Sequence, residues 1–424
     1  MNKLSPPVSA AGKKGALSRR KLLSVGSGSV AGGLVAHPAI AGSLADVPQR
    51  GVGVPVGATS ERSEFVELAR ITEATPGKRN VDPLDAINSK TPLHKLDGTI
   101  TPSDLHYERS HSGIPSLDPK THRLLVHGMS ERSLVLDLGD LRRMPSISRV
   151  AFIECSGNGW ENWKNDDDTL TVQHTHGLIS THEWTGVRLS YIAGLVGRDA
   201  ASTWMLAEGG DASGMARSIP MTEEILDEAM IAYAQNGEPL RPAHGYPMRL
   251  LVPGWEGNLS VKWLRRLKFG DRPFYTRWET SRYTSLMPDG RARQFQLRQE
   301  VNSVITSPSG MMEIAPGYNR ITGLAWSGHG AVSKVEISTD AGRTWQEARL
   351  NGLVLPKAQT RFQLEWHWDG NPTFITSRAT DEKGHVQPTR EALIEQMGNN
   401  ALFHYNGQQI WRINAEGNVR HALA

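Results

Sequence analysis

One cysteine occurs in the 424 residues, Cys155. It lies in Phe152-Ile153-Glu154-Cys155-Ser156-Gly157-Asn158-Gly159-Trp160. A lone thiol cannot close an internal disulfide. In an oxidising compartment it is a liability unless it is buried and inert, or held by a metal as thiolate. A buried structural cysteine is the simplest reading of any single Cys. The company it keeps favours the metal.

Three other clusters carry chemistry. They are Tyr107-Glu108-Arg109-Ser110-His111, then His244 to Arg249 with Ser260-Val261-Lys262, and Trp278-Glu279-Thr280-Ser281-Arg282-Tyr283. Singly, each has a plain explanation. Arg109 and Arg249 read as salt-bridge arginines, His111 and His244 as structural histidines, Lys262 as a solvated head, and Tyr283 as core or rim. Together they supply the fixed cations and donors that a phosphate-bearing cofactor needs. A guanidinium also suits an oxyanion substrate, and a thiolate suits a metal that prefers sulfur.

Two other classes fit parts of the chain. His174-Thr175-His176, with His182 and Asp166 to Asp168, is a conceivable zinc set for a hydrolase. Its spacing matches no zinc motif, and the three aspartates read as a solvated loop. A scaffold with Cys155 as an inert buried thiol is the other. No Cys-x-x-Cys-His exists with a single cysteine, so no covalent haem is expected on this chain.

Several elements must position these residues. Arg149 to Glu154 reads as a strand that delivers Cys155 to a glycine-containing loop. Asp140 to Met144 and Ser190 to Val196 read as short helices, and Thr222 as the cap of another. The last third alternates. Val335 and Ile337 alternate with polar neighbours, as do Phe362, Leu364, Trp366 and Trp368. Asp340-Ala341-Gly342 and Asp381 to Gly384 mark turns. This is the pattern of a disulfide-free immunoglobulin-like sandwich. The alternation leaves open whether Trp366 and Trp368 serve core or interface.

The N-terminus reads as an export signal. Residues 1–41 carry a basic region with Arg19-Arg20, then a weakly apolar Gly, Ala and Ser tract, as in twin-arginine signals. Such signals export folded proteins, which suits a cofactor inserted before export. Six of the 47 basic residues lie in the first 45, which hold no acidic residue, so the rest carries 41 basic against 44 acidic. That balance points away from nucleic acid. No later segment is long and apolar enough to span a bilayer. The expected localisation is the periplasm. Residues 42–80, rich in Pro and Gly, read as an arm or linker.

These segments resemble the sulfite oxidase family of molybdenum enzymes, from about residue 90 to 415. The likeness includes Trp326-Ser327-Gly328 and Ser338 to Trp345. It implies an α+β architecture, with a mixed α/β molybdopterin domain over 81–290 and an immunoglobulin-like dimerisation domain over 291–424. It implies one molybdenum-molybdopterin per chain. Cys155 would be the metal ligand. Tyr107, Arg109, His111, Asp211, His244, Arg249, Ser260, Val261 and Lys262 would contact the pterin and its phosphate. Tyr283, Arg109, Trp184 and Arg361 would face the substrate, Arg361 from the second domain.

The chain departs from the family at one place. Sulfite-oxidising members follow Cys-x-Gly-Asn with two arginines, and here those positions are Gly159 and Trp160. Losing a charge-assisted contact weakens capture of a small dianion by about 1.5–3 kcal/mol. The departure resembles the sulfane dehydrogenase branch of the family. That branch takes a sulfane sulfur on a carrier-protein cysteine and passes electrons to a c-type cytochrome subunit. The implied assembly is a homodimer or a heterotetramer with the cytochrome. Free sulfite, as for a sulfite dehydrogenase, is the alternative substrate.

Overall fold

The computed structural model describes residues 59–74, 87–164 and 166–423. The export signal and most of the arm lie outside the described residues. Val66–Ala424 forms one compact unit. Of the preceding unit, Met1–Phe65, only residues 59–65 are described, and they contain no helix or strand.

The first part of the compact unit is built on two sheets, one antiparallel and one mixed. One sheet orders Glu238–Pro239, Met230–Gln235, Ile179–Arg188 and Ser146–Glu154, and Arg249–Leu251 also pairs with Met230–Gln235. The other orders Leu134–Leu136, Leu124–Gly128, Leu264–Gly270, Trp204–Gly209 and Ala216–Pro220. Its one parallel pair joins Leu264–Gly270 to Leu124–Gly128. Short helices Leu138–Arg143, Leu189–Leu195 and Glu223–Glu228 flank these sheets. Ile192 and Ile225 from the helices pack with Leu124, Val126, Leu264 and Leu267 in one apolar core.

The helix starts follow from capping. Asp137 accepts from the Asp140 N–H while Asp140 accepts from the Asp137 N–H, both at 2.9 Å, a reciprocal box. Thr222 Oγ1 accepts from the Ile225 N–H at 3.2 Å, as expected from sequence. The cysteine-bearing strand starts three residues earlier than its apolar run suggests. Its polar beginning, Ser146 to Ser148, pairs in register with Gly186 to Val187 and Thr185 across the sheet. Backbone pairing, not burial, holds that end.

The last third is a β-sandwich of the immunoglobulin-like kind. One sheet orders Asn302–Ser307, Gly317–Trp326, Thr360–Trp368 and Arg349–Asn351. The facing sheet orders Gln346–Glu347, Val332–Ser338, Thr373–Asp381, Ile410–Ile413 and Val419–Ala422. Val335, Ile337, Phe362 and Trp368 are buried between them, and Leu364 and Trp366 pack partly buried against the same core. Trp368 is therefore core.

Two expected boundaries need correction. The arm over 42–80 is not all linker: Ile71–Ala74 pairs with Ile87–Lys90, which pairs with Glu108–Arg109. Four residues between Pro- and Gly-rich stretches are too few to show a period. The division at 290 falls inside a hairpin, Ser285–Leu286 with Ala292–Arg293, whose turn contains Gly290 at a positive φ. The sandwich proper begins at Asn302. Leu93, Phe152, Val172 and Ile179 from the first part join the sandwich core.

Candidate active site

Cys155 follows the last residue of the strand Ser146–Glu154. Its N–H donates to the Leu178 carbonyl at 3.0 Å, and the Gly157 N–H points at Sγ from 3.4 Å. Burial pushes the thiol up; the Gly157 N–H and Arg109 oppose this without reversing it. A sulfur so placed becomes a stable thiolate when a metal takes it.

Two cavities meet at this sulfur. They share Arg109, His111, Cys155 and Tyr283. Their other walls differ sharply. One continues among Tyr107, Asp211, Arg249, Ser260, Val261 and Lys262. The other, of about 300 Å³, opens between Trp160, Trp278, Arg282, Leu402 and Phe403. Cys155 thus joins a cationic channel to a mouth with an aromatic and apolar rim that also holds Arg109 and Arg282.

The channel is built from short-range constraints. Arg249 is buried and donates to the carbonyls of His244 at 2.9 Å and Ser260 at 2.7 Å. Its guanidinium lies 5.1 Å over the Trp184 ring, and burial pulls it down to about 10. Lys262 Nζ donates to the Ala243 carbonyl at 2.9 Å and lies 4.4 Å from the Trp263 ring centroid. Burial, with Arg249 and Arg109 nearby, brings the ammonium down to about 7 against the opposing pull of Glu108 and Asp211. Asp211 is fixed by the Met215 N–H at 3.1 Å and by the Ser213 hydroxyl.

These residues fit a polyanionic heterocyclic cofactor. Arg109, Arg249 and Lys262 line the channel against a single lining carboxylate, Asp211. Cations in such surplus along the channel, Arg249 buried and Arg109 and Lys262 half-buried, call for an anion. Beside the channel, the His244 ring lies tilted against His106 at 4.4 Å, and burial keeps both rings neutral. His244 Nδ1 faces the Gln235 amide oxygen at 3.1 Å, so it carries the proton. Its Nε2 is then a buried acceptor with no partner among the described residues. At Gly257 a methyl would stand 2.8 Å from Tyr107 Oη and 2.7 Å from the Glu154 carbonyl, so only glycine lets this wall close. A sulfur donor at the channel's end completes a set suited to a metal held through a pterin.

The mouth is equally specific. Tyr283 Oη lies 3.1 Å from His111 Nε2, and its ring is 5.3 Å from Phe403. Burial, reinforced by Cys155, raises the phenol, so it remains an O–H donor. Gly159 stands where an arginine was expected in sulfite oxidisers. It has φ +78°, and an added Cβ would lie 3.0 Å from Tyr405. A side chain there would be strained and would collide. Trp160 is 51% exposed and forms part of the rim.

Two residues expected at the substrate lie elsewhere. Trp184 is fully buried, donates to the Ala151 carbonyl at 3.1 Å and lines neither cavity. It is the platform under Arg249. Arg361 also lines neither cavity; its strand pairs it with Leu324 and Asn351, and Nε donates to the Gly98 carbonyl. The sandwich reaches the mouth through Leu402 and Phe403 instead. The histidines of the conceivable zinc set diverge. His174 accepts from the N–H of Thr171, the cap of the helix Val172–His176, His176 is buried on Thr175 Oγ1, and His182 contacts His106 at 2.6 Å. Among the described residues no group of three His, Cys, Asp or Glu is placed to hold a metal ion.

Sequence reasoning missed His106 and Asn258 and gave Arg282 no role, yet all three line the cavities. His106 and Arg282 adjoin recognised residues, Tyr107 and Tyr283, and that adjacency was the available signal. Nothing local marks Leu402 and Phe403.

Comparisons with known proteins identify the family of this chain. Residues 111–278 match the oxidoreductase molybdopterin binding domain, and residues 293–409 the Mo-co oxidoreductase dimerisation domain. Mitochondrial sulfite oxidase of Rattus norvegicus is 32% identical over 376 residues, covering 78% of this chain and 69% of that enzyme. The Homo sapiens enzyme is 33% identical over 336 residues, covering 72% and 61%. This chain thus spans less than two thirds of the human enzyme's length. The crystal structure of the sulfane dehydrogenase SoxCD from Paracoccus pantotrophus superposes with a TM-score of 0.84 at 41% identity, covering 89% of this chain and 98% of that one. The chain belongs to the sulfite oxidase family of molybdopterin oxidoreductases.

Proposed function

We propose that this chain is the molybdenum-bearing catalytic subunit of a periplasmic sulfane dehydrogenase. Its substrate is a sulfane sulfur on a cysteine of a carrier protein, and a c-type cytochrome subunit accepts the electrons. The observation that carries the reading is the mouth. Trp160, Leu402 and Phe403 stand there, and the position before Trp160 is a glycine. Such a rim suits a sulfur presented on a polypeptide better than a free dianion. Likeness to the sulfane dehydrogenase SoxCD supports the choice. The Arg19-Arg20 signal supports export, and the match to a dimerisation domain supports a dimer through the sandwich.

The residues divide the work. Arg249, Lys262 and Ser260 would hold the phosphate end of the cofactor, with Tyr107, His111, Asp211, His244 and Val261 around the pterin. Cys155 would bind the metal. When bound, the cofactor supplies two-electron oxygen-atom transfer, with water as the oxygen source. Each oxygen added to sulfur releases two electrons and two protons. Arg109 and Arg282 bring positive charge to where oxyanion charge develops. Tyr283, kept protonated by burial, donates a hydrogen bond to an oxygen at the same place. Trp278, Leu402 and Phe403 exclude water around the reacting sulfur.

Free sulfite is the second reading, and the two guanidinium-bearing residues in the mouth, Arg109 and Arg282, favour it. Steady-state oxidation of sulfite and of a persulfide-loaded carrier, with ferricytochrome c as acceptor, decides. Faster turnover of free sulfite at low concentration would remove the carrier-sulfur reading. Zinc at one per chain without molybdenum would remove both.

A further inference from the structure

The sandwich touches the reaction site through one loop, and a buried ion network ties that loop to the segment bearing Tyr283. The hub is Arg217, fully buried on the strand Ala216–Pro220. Its Nη2 donates to Glu256 Oε1 at 2.8 Å, and its Nε lies 3.5 Å from the Glu279 carboxylate. Its Nη1 donates to Asn258 Oδ1, and its guanidinium carbon stands 5.1 Å over the Tyr283 ring.

Each partner leads to a different part of the site. Glu279 belongs to the helix Arg277–Thr280, and Tyr283 follows three residues after that helix ends. Asn258 lines the cofactor channel, and its amide reaches Ser156 Oγ at 3.3 Å, beside Cys155. The second oxygen of Glu256 faces His404 Nε2 at 3.2 Å. Burial raises the Glu256 carboxyl, but Arg217, His404 and Asn258 overturn this and hold it at about 2. The His404 N–H donates to the Ser156 carbonyl at 2.7 Å. Phe403, the residue before, faces Tyr283 across the mouth.

We propose that the Leu402–His404 loop is the substrate-selecting wall of the site, and that Arg217 is the positioning residue that sets it and Tyr283 together. Buried ion networks are costly to assemble and retain one geometry once formed. Through Glu256 and His404 the network fixes the wall. Through Glu279 and the aromatic face it fixes the tyrosine. The width between Phe403 and Tyr283 is then set by charge pairing beneath them. The inference rests on reading the Trp160–Phe403 mouth as the substrate entrance.

Holoenzyme His404→Ala tests it, since this variant releases the wall and leaves the Arg217–Glu279 pair in place. Sulfite and a cysteine-persulfide peptide serve as donors, with deuterium exchange of the 402–405 amides read in parallel. With molybdenum content unchanged, we expect KM to rise about tenfold and kcat to stay within about twofold, and exchange at His404 to accelerate. Arg217→Lys, which keeps the charge but not the fork, is expected to lower kcat less than Arg217→Met. If Arg217→Met fails to fold, the His404 variant still decides. A KM within about twofold of wild type for every donor oxidised overturns the proposal, whatever the exchange shows. Oxidation of sulfite alone sinks the carrier-sulfur reading instead, and the KM comparison then stands on sulfite.

Discussion

Trp326 donates its indole N–H to Glu154 Oε2 at 2.8 Å. The other oxygen, Oε1, accepts from Asn158 Nδ2 at 2.8 Å. Glu154 immediately precedes Cys155, and burial pushes its carboxyl up to about 7 against those two bonds. A tryptophan in the sandwich core therefore holds the residue next to Cys155. The two parts of the chain are joined at the chemistry and not only along a surface.

Trp326→Phe keeps most of the ring and removes the donor. One buried Glu154 oxygen then has no partner, which costs about 1–3 kcal/mol. Urea denaturation should show a lower midpoint with an unchanged slope. An unchanged midpoint would mean that the bond contributes nothing to stability.

Lys262 gives a pH signature to the cofactor-free protein. Its ammonium is at about 7 when folded, against 10.5 for the ordinary side chain. Between those values the unfolded chain binds more protons, so this group makes stability rise with pH. The full penalty of burying the charge applies below pH 7. Lys262→Met should therefore be more stable than the cofactor-free wild type at low pH, with the gap closing as pH approaches 10.5. Denaturation midpoints at a series of pH values measure this. The same variant should retain less cofactor, because the phosphate loses a cation.

Trp160→Arg restores a guanidinium to the mouth. The site is half exposed, so the gain is discounted to about 1.4 kcal/mol, or about tenfold in kcat/KM for sulfite. Oxidation of a persulfide peptide should fall as the aromatic rim is lost. If both donors respond alike, the rim does not discriminate between them.

Cys155→Ser replaces the soft donor and leaves the channel cations untouched. Pterin should remain bound while sulfur oxidation falls by more than about a hundredfold, since even partners one shell out from a metal are worth 10- to 100-fold. Fluorescence of the released pterin and molybdenum analysis separate binding from turnover. Loss of pterin along with activity would place the anchoring energy on the sulfur and not on Arg249 and Lys262.

Much of the site was legible in the chain itself. Tyr107, Arg109, His111, Asp211, Arg249, Ser260 to Lys262 and Tyr283 line the cavities that meet at Cys155. Most lie in short runs whose side-chain types together suit an anion and a metal that prefers sulfur, while Asp211 and the separate role of each residue came from the family resemblance. The alternating strands of the sandwich and the cap Thr222 are likewise local, since backbone geometry and nearest neighbours dictate them.

Residues that act across the fold were not legible. Trp184 reads as an active-site aromatic, yet packing places it behind Arg249. Arg361 reads as a substrate ligand, yet the register of its strand turns it to Gly98. Leu402, Phe403 and the Arg217 hub carry no motif, because their roles depend on contacts between segments distant in sequence, from 39 residues for Arg217 and Glu256 upward. Side-chain chemistry and short-range periodicity are written in the sequence. Which distant wall closes a pocket is settled only when two cores pack, for then burial and charge pairing choose one arrangement among many.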